Sequence, residues 1–322
     1  MTGLHDPSQR PINYLRISVT DRCNLRCIYC MPAEGVSLMP HQAILTYEEI
    51  YTVAKAAAEL GINKIRITGG EPLRRRGIVS LVRMLSNIKG IKELVMTTNG
   101  VELEKFASEL KKAGLSRVNI SLDSLNRKKF VQITGKDKLI DVLRGIEAAK
   151  ENNLHPIKIN VVVLKGINED EILDFVRFGS EKKLIIRFIE YMQINQSYPN
   201  NLYLPNFVVK QIIEKHWGPL EPVSSLDSSS ARYFKPKDSN VLLGFISPVS
   251  SPFCSSCNRL RLTAEGKLYP CLLENFAVDL KKALRRNDEV YIKHLFDWAI
   301  KNKSRKYRKL CKTDKFMCQI GG

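Results

Sequence analysis

No apolar run in this 322-residue chain is long enough to cross a bilayer. The longest, such as residues 159–164, contains an Asn and falls far short of the roughly 20 residues needed. The opening stretch MTGLHDPSQRPINY has no apolar core of the kind a secretory signal carries, so a cytoplasmic chain is expected. Neither an internal repeat nor a long low-complexity segment is found. Acid is in deficit: 33 Asp and Glu stand against 51 Lys and Arg, a net charge of +18. Such an excess favours an anionic partner, whether nucleic acid, an acidic membrane surface or a polyphosphate. Eight of the basic residues fall between Lys301 and Lys315, where Asp314 is the one acid, a pattern usual for an exposed tail or helix face. What remains is ordinary: 44% apolar and 26% charged residues exclude a disordered chain, a collagen and a disulfide miniprotein. The length suits about two domains, or one barrel-sized domain with an extension.

Residues 14–192 alternate between two kinds of segment. Strands are predicted over 14–19, 64–68, 93–97, 117–122, 157–163 and 184–189. Helices are predicted between them, over 47–60, 78–88, 103–113, 138–152 and 169–182, with glycine turns as punctuation. Six such units imply a parallel sheet, open or curled into a full or partial barrel. Residues 193–250 read as less regular, with a Ser-rich loop at 224–230 and short β-like runs at 233–234 and 241–246. Helices are expected again at 277–286 and 288–301.

The strands are not apolar on both faces, as ordinary buried parallel strands are. Arg16 and Ser18 alternate with Leu15, Ile17 and Val19, and Lys64, Arg66 and Thr68 with Ile65 and Ile67. Arg117, Asn119 and Ser121 repeat the pattern, as do Lys158 and Asn160. In a barrel the polar set points into the lumen. Cations there are costly to desolvate unless the lumen is wet and receives an anion.

Eight cysteines cluster rather than scatter: Cys23, Cys27 and Cys30 near one end, Cys254, Cys257 and Cys271 near the other, with Cys311 and Cys318 beyond. Ligation or catalysis is expected of them rather than a disulfide framework. The first set, C-x3-C-x2-C, follows the first strand, on the loop where βα folds build their sites. Three soft thiolates suit an iron–sulfur cluster with one iron left open, whereas a closed zinc site needs a fourth ligand, and neither His5 nor His41 has zinc-finger spacing. This motif resembles that of the radical S-adenosylmethionine superfamily. Gly69-Gly70-Glu71-Pro72, after the second strand, matches that superfamily's GGEP motif, whose glycines are expected to let backbone carbonyls approach the methionyl ammonium.

The second set, C-x2-C-x13-C, encloses Asn258-Arg259-Leu260-Arg261. Read from spacing alone it is a zinc ribbon short of a ligand, which Cys311 or Cys318 could supply, or a second cluster with an open iron. Arg259 and Arg261 would share one face of a strand, and the planar guanidinium suits phosphate or carbonyl groups. With both sets, and with the stretches RISVTDRCNLRCIYCMP, KIRITGGEPLRRRG, TTNG, NISLDSL, RFIEYM and GFISPVSSPFCSSCNRLRLT and the final Gly321-Gly322, the chain is similar over essentially its whole length to the GTP 3′,8-cyclase family.

That resemblance implies a lyase fold and chemistry. The fold would be a partial (β/α)6 barrel over residues 1–217. A C-terminal α+β extension over 218–302 would close the barrel and carry the second iron–sulfur cluster, ahead of a basic tail over 303–322. Cys23, Cys27 and Cys30 would hold one [4Fe-4S] cluster, and Cys254, Cys257 and Cys271 another, with its open iron toward guanine. Tyr29, Gly70, Ser121 and Met192 would contact S-adenosyl-L-methionine. Arg16, Arg66, Thr97, Lys158, Arg259 and Arg261 would contact GTP, and Arg259, Arg261, Gly321 and Gly322 would serve the cyclisation to (8S)-3′,8-cyclo-7,8-dihydroguanosine 5′-triphosphate, the first step of molybdenum cofactor biosynthesis. An external electron donor, a homodimer and hand-over to cyclic pyranopterin monophosphate synthase are implied as partners, with no membrane and no nucleic acid. The Ser-rich 224–230 stretch, Lys235-Pro236-Lys237 and Cys318 depart mildly from the family and are expected to touch no motif residue. Two other readings stay open at this point. One is a different radical S-adenosylmethionine enzyme with an auxiliary cluster. The other is a basic zinc protein that binds nucleic acid, which leaves GGEP unexplained.

Overall fold

The computed structural model describes residues 4–195, 198–199, 201–224, 230–303 and 315–321. Gly322, Cys311, most of the Ser-rich loop and most of the basic run after Lys301 lie outside the described residues.

The six predicted strands form within one residue of expectation: β1 (Tyr14–Ser18), β2 (Lys64–Thr68), β3 (Glu93–Thr98), β4 (Arg117–Ser121), β5 (Lys158–Val163) and β6 (Ile185–Glu190). They pair in sequence order, all parallel. Between them run α1 (Tyr47–Glu59), α2 (Ile78–Ser86), α3 (Leu103–Lys112), α4 (Arg127–Thr134), α5 (Leu139–Glu151) and α6 (Ile172–Lys182). Local chemistry fixes the helix starts: Thr46 and Glu49 form a reciprocal capping box on α1, and the Asn126 side chain accepts from the amides of Lys128 and Lys129 at α4. The outward strand residues, among them Leu15, Ile17, Ile65, Ile67, Val118, Ile120 and Ile159, are buried against the helices in one continuous core. Helix α4 and, further on, α7 (Asn206–Trp217) were not expected from the sequence.

The extension supplies the remaining elements: β7 (Leu220–Val223), β8 (Arg232–Pro236), β9 (Leu243–Ile246), β10 (Arg259–Leu262), β11 (Lys267–Tyr269), β12 (Val278–Asp279), α8 (Lys281–Arg285), α9 (Glu289–Lys301) and α10 (Met317–Ile320). The helix expected over 277–286 is shorter, because Val278 and Asp279 are drawn into a strand against Lys267 and Leu268. The extension does not form a separate layer. Strand β10 adds parallel to β1 and β9 adds parallel to β6, so it lengthens the one sheet at both edges to the order β12-β11-β10-β1-β2-β3-β4-β5-β6-β9-β8-β7. The sheet itself does not join end to end among the described residues; the barrel wall is completed by the extension's strands and loops.

Candidate active site

The curved sheet encloses a cavity of about 330 Å³ along the inner faces of β1–β6. Both cysteine sets line it, Cys23, Cys27 and Cys30 from the loop after β1 and Cys254, Cys257 and Cys271 from the extension. Two backbone bonds to α4, Arg26 N to Thr134 O and Ile28 N to Ile133 O at 2.8 and 3.0 Å, pin the first loop. Gly69 and Gly70 lock it from the other side. A Cβ on Gly69 would lie 2.7 Å from Thr20 O, and one on Gly70 2.5 Å from Arg22 O. Gly70 N donates to Thr20 O and Glu71 N to Arg22 O. The glycines therefore serve first to dock the cysteine loop, a role that spacing alone did not reveal. Buried Glu71 accepts from Leu73 N, Asn99 N and the Thr98 hydroxyl and so ties the loop to β3; burial pushes its carboxyl up to about 7.

Burial pushes the Cys23 thiol up to about 11 and raises that of Cys27 well above its ordinary value. Cys257 is the opposite case. Burial would raise it, but the Arg259 and Lys303 cations outweigh burial and bring it down to about 6. Among the described residues no three His, Cys, Asp or Glu side chains are arranged to hold a single metal ion. An iron–sulfur cluster makes a different demand, one thiolate per iron. Two sets of three soft donors facing one cavity, with Arg259 favouring a thiolate in the second, fit such clusters.

The same cavity has a cationic wall. Register aligns Arg261 on β10 with Arg16 on β1 and Arg16 with Arg66 on β2, so three guanidiniums stand side by side across three strands. All three line the cavity, with Arg259 and Arg187. Burial first, then Arg261 and Arg66, push the Arg16 guanidinium well below its ordinary value; burial and then Arg259 bring Arg261 down to about 10. Both effects mark a wall that an anion would relieve. The Arg66 side chain donates to the Tyr14 hydroxyl and, at 2.8 Å, to Thr97 Oγ1. Burial would raise the Tyr14 phenol, but Arg66, Arg16 and Lys64 outweigh it and lower it to about 7.

The other predicted residues sort differently. Tyr29, Gly70, Ser121 and Met192 line the same cavity. The Tyr29 hydroxyl donates to Asp123, itself bonded by Val162 N at 2.8 Å. Lys158 is not part of the cavity wall; it is 1% exposed, and its ammonium donates to the Tyr233 hydroxyl at 3.0 Å. Lys64 and Arg117 share Glu93, each at 2.7 Å, so part of the inward charge is neutralised within the barrel. Sequence reasoning did not single out Tyr14, Asp123, Arg187 or Glu71 as site residues. Arg187 stands in β6 in the same inward alternation and could have been found there.

The C-terminal segment enters the site. Arg261 Nη1 donates to Gly321 O at 2.5 Å, and Gly321 is buried with φ +75°, where a Cβ would sit 3.0 Å from Ser18 Cβ. Met317 lines the cavity. Cys318, 1% exposed, lies near enough to Cys30 for the two thiols to shift one another, Cys30 upward and Cys318 downward. This corrects the expectation that Cys318 touches no motif residue: α10 folds back across 288 positions of sequence to lie on the first cysteine loop.

The Radical SAM superfamily profile matches residues 17–179, and the Molybdenum Cofactor Synthesis C profile matches residues 184–309. The chain is 51% identical over 284 residues to the GTP 3′,8-cyclase of Thermodesulfovibrio yellowstonii, covering 88% of each chain. It is 45% identical over 323 residues to that of Alkaliphilus oremlandii, covering 99% of this chain and 100% of that one. Among solved structures it superposes on Streptococcus suis SuiB bound to precursor peptide SuiA with a TM-score of 0.62 at 18% identity, over 89% of this chain and 66% of that one. It superposes on anSMEcpe with bound AdoMet with a TM-score of 0.58 at 16% identity, over 95% and 84%. The two structural likenesses bear on the fold alone.

Proposed function

The chain belongs to the GTP 3′,8-cyclase family of radical S-adenosylmethionine enzymes, and from that premise we propose how its cavity divides the work. The reaction is the conversion of GTP to (8S)-3′,8-cyclo-7,8-dihydroguanosine 5′-triphosphate, the first step of molybdenum cofactor biosynthesis, with S-adenosyl-L-methionine and two [4Fe-4S] clusters as cofactors. One observation carries the division: two sets of three thiols and a row of arginines in register line a single cavity.

Cys23, Cys27 and Cys30 would hold the cluster that serves S-adenosylmethionine, and Cys254, Cys257 and Cys271 the second. When bound, these groups supply the one-electron cleavage of the sulfonium and the radical that removes the ribose 3′ hydrogen. The protein's own residues bind, orient and exclude water. Tyr29, held by Asp123, Gly70, Ser121 and Met192 would shape the cosubstrate's end of the cavity. Arg16, Arg66, Arg259 and Arg261 would take the triphosphate, each guanidinium offering paired N–H donors to phosphate oxygens. Thr97 holds Arg66 at 2.8 Å and so fixes its aim. Lys158 would act through Tyr233 rather than by direct contact. Gly321 and Gly322 would bring backbone, without side-chain bulk, close to the substrate. Fixing the ribose against both the cosubstrate and C8 of guanine is an orientation task, where proximity effects are largest.

The family alone supports the rest: an external one-electron donor, a homodimer, and hand-over of the product to cyclic pyranopterin monophosphate synthase. No helix among the described residues is long and apolar enough to cross a membrane. The test is anaerobic turnover of the reconstituted chain with GTP, S-adenosylmethionine and dithionite, following 5′-deoxyadenosine and the cyclised nucleotide separately. Equal formation of both is expected. Deoxyadenosine formed without any GTP-derived product, at saturating GTP, would reject the reading.

A further inference from the structure

The second cysteine set is held by two buried cations that arrive from distant parts of the chain. Arg10, 6% exposed, donates from Nη1 to Cys254 O, and its charge is matched by Asp6, which pairs with the same guanidinium. Lys303, 4% exposed, comes from the other end of the sequence, two residues past α9. Its ammonium donates to Arg259 O at 2.9 Å and to Pro270 O. Those carbonyls belong to the residue two places after Cys257 and the residue one place before Cys271. The β10–β11 ladder pairs Leu262 with Leu268 and Arg261 with Tyr269, and stops there. Lys303 thus bridges the two strands where their ladder ends, on the side from which Cys257 and Cys271 extend. Its place is fixed, because Lys303 N donates to Ile300 O at 3.0 Å and Phe296, Ala299 and Ile300 of α9 are buried in the core.

The two cations differ in one respect. Among the described residues Lys303 pairs with no carboxylate; carbonyl dipoles receive its ammonium. A buried ammonium without a counter-charge is costly. A four-iron cluster held by three thiolates is anionic whether oxidised or reduced, more so when reduced, and local charge and hydrogen bonds help to set its potential. We propose that Lys303 is a positioning residue of the second cluster: its ammonium closes the end of the β10–β11 hairpin, supplies the counter-charge that holds the cluster there and favours the cluster's reduced form. The electron itself comes from the external donor, and Lys303 keeps its proton throughout. Arg10 tethers the Cys254 end of the same set without adding net charge, because Asp6 accompanies it. The inference rests on the reading of the second set as a cluster site.

The test uses the anaerobically reconstituted full chain carrying Cys27→Ala, so that only the second cluster is present. Absence of iron and acid-labile sulfide from this parent would overturn the cluster reading and the proposal with it. Three changes are then made at one position. Lys303→Arg keeps the charge and the donors, Lys303→Gln keeps a donor and loses the charge, and Lys303→Met loses both. A redox titration with dithionite, followed by the EPR signal of the reduced cluster, reads the result. At the potential where half of the parent's cluster is reduced, the reduced fraction should stay near half in Lys303→Arg and fall several-fold in both neutral variants. Loss of iron from both neutral variants while Lys303→Arg stays loaded would equally support the counter-charge. A reduced fraction in Lys303→Gln equal to the parent's would overturn the proposal, whatever Lys303→Met does. So would Lys303→Arg behaving like the two neutral variants, since the charge would then be irrelevant.

Discussion

Among single residues, the arginines and Tyr14 carry the sharpest expectations. Arg259 stacks over the Phe253 ring at 4.8 Å, next to Cys257, and Arg261 stands in the row with Arg16 and Arg66. Replacing Arg259 and Arg261 together with Ala should weaken GTP binding by roughly 1.5–3 kcal/mol per lost charge-assisted contact. Both clusters should still assemble, which iron analysis would show; unchanged GTP affinity would reject their role. Arg261 also clamps Gly321, so its single variant should lower turnover more than affinity, whereas the Arg259 variant should lower affinity first. Tyr14 offers a pH readout. Its phenol titrates near 7 among the cations, well below the usual tyrosine range near 10. A depressed folded value means that its contribution to stability is fully present above about 10 and is lost as pH falls through about 7. The ligand-free protein should show a phenolate absorbance step near pH 7 that Tyr14→Phe abolishes. Saturating GTP should move that step upward, because the triphosphate would take over the cations that favour phenolate.

Among elements, the loop after β1 depends on its neighbours. Gly70→Ala drives a Cβ to 2.5 Å from Arg22 O, a contact with backbone that cannot rotate away. The expected cost is about 1–3 kcal/mol, with loss of the first cluster and retention of the second. Iron falling by about half with the fold intact by circular dichroism is the outcome to look for. Helix α4 pins the same loop, and Asn126→Ala should remove its cap at a cost of about 1 kcal/mol. Much of this level is written in sequence. Strands β1–β6 show as inward polar residues alternating with outward Ile, Val and Leu, and the intervening helices other than α4 as apolar stripes. Helix α4 escaped because RKKFVQIT is short and carries three cations, and only Phe130, Ile133 and Thr134 are buried. Residues brought together by register or by chain reversal escaped for another reason: Tyr29 meets Asp123 across 94 positions, and nothing local records it. The inward charge was legible; its partial neutralisation by Glu93 depended on the β2–β3 register.

At the scale of the molecule, the barrel and the extension are one sheet. Because β10 pairs with β1 and β9 with β6, the second cysteine set and the arginine row are positioned by the barrel's own edges. Sequence could show that an extension carried a second cysteine set, but not which edge each of its strands would join. Deleting Gly321 and Gly322 should leave the fold and both clusters in place while product formation falls steeply, since the carbonyl that Arg261 holds is removed along with the backbone beside Ser18 and Thr68. Wild-type product yield from the truncated chain would return those glycines to the role of an ordinary tail. The proposed division of the cavity requires two clusters in one chain. Iron and acid-labile sulfide, measured on the anaerobically reconstituted protein together with Cys27→Ala and Cys257→Ala, address it most directly. About eight of each per chain are expected, falling to about four in either variant. Stoichiometric zinc with no labile sulfide would contradict it.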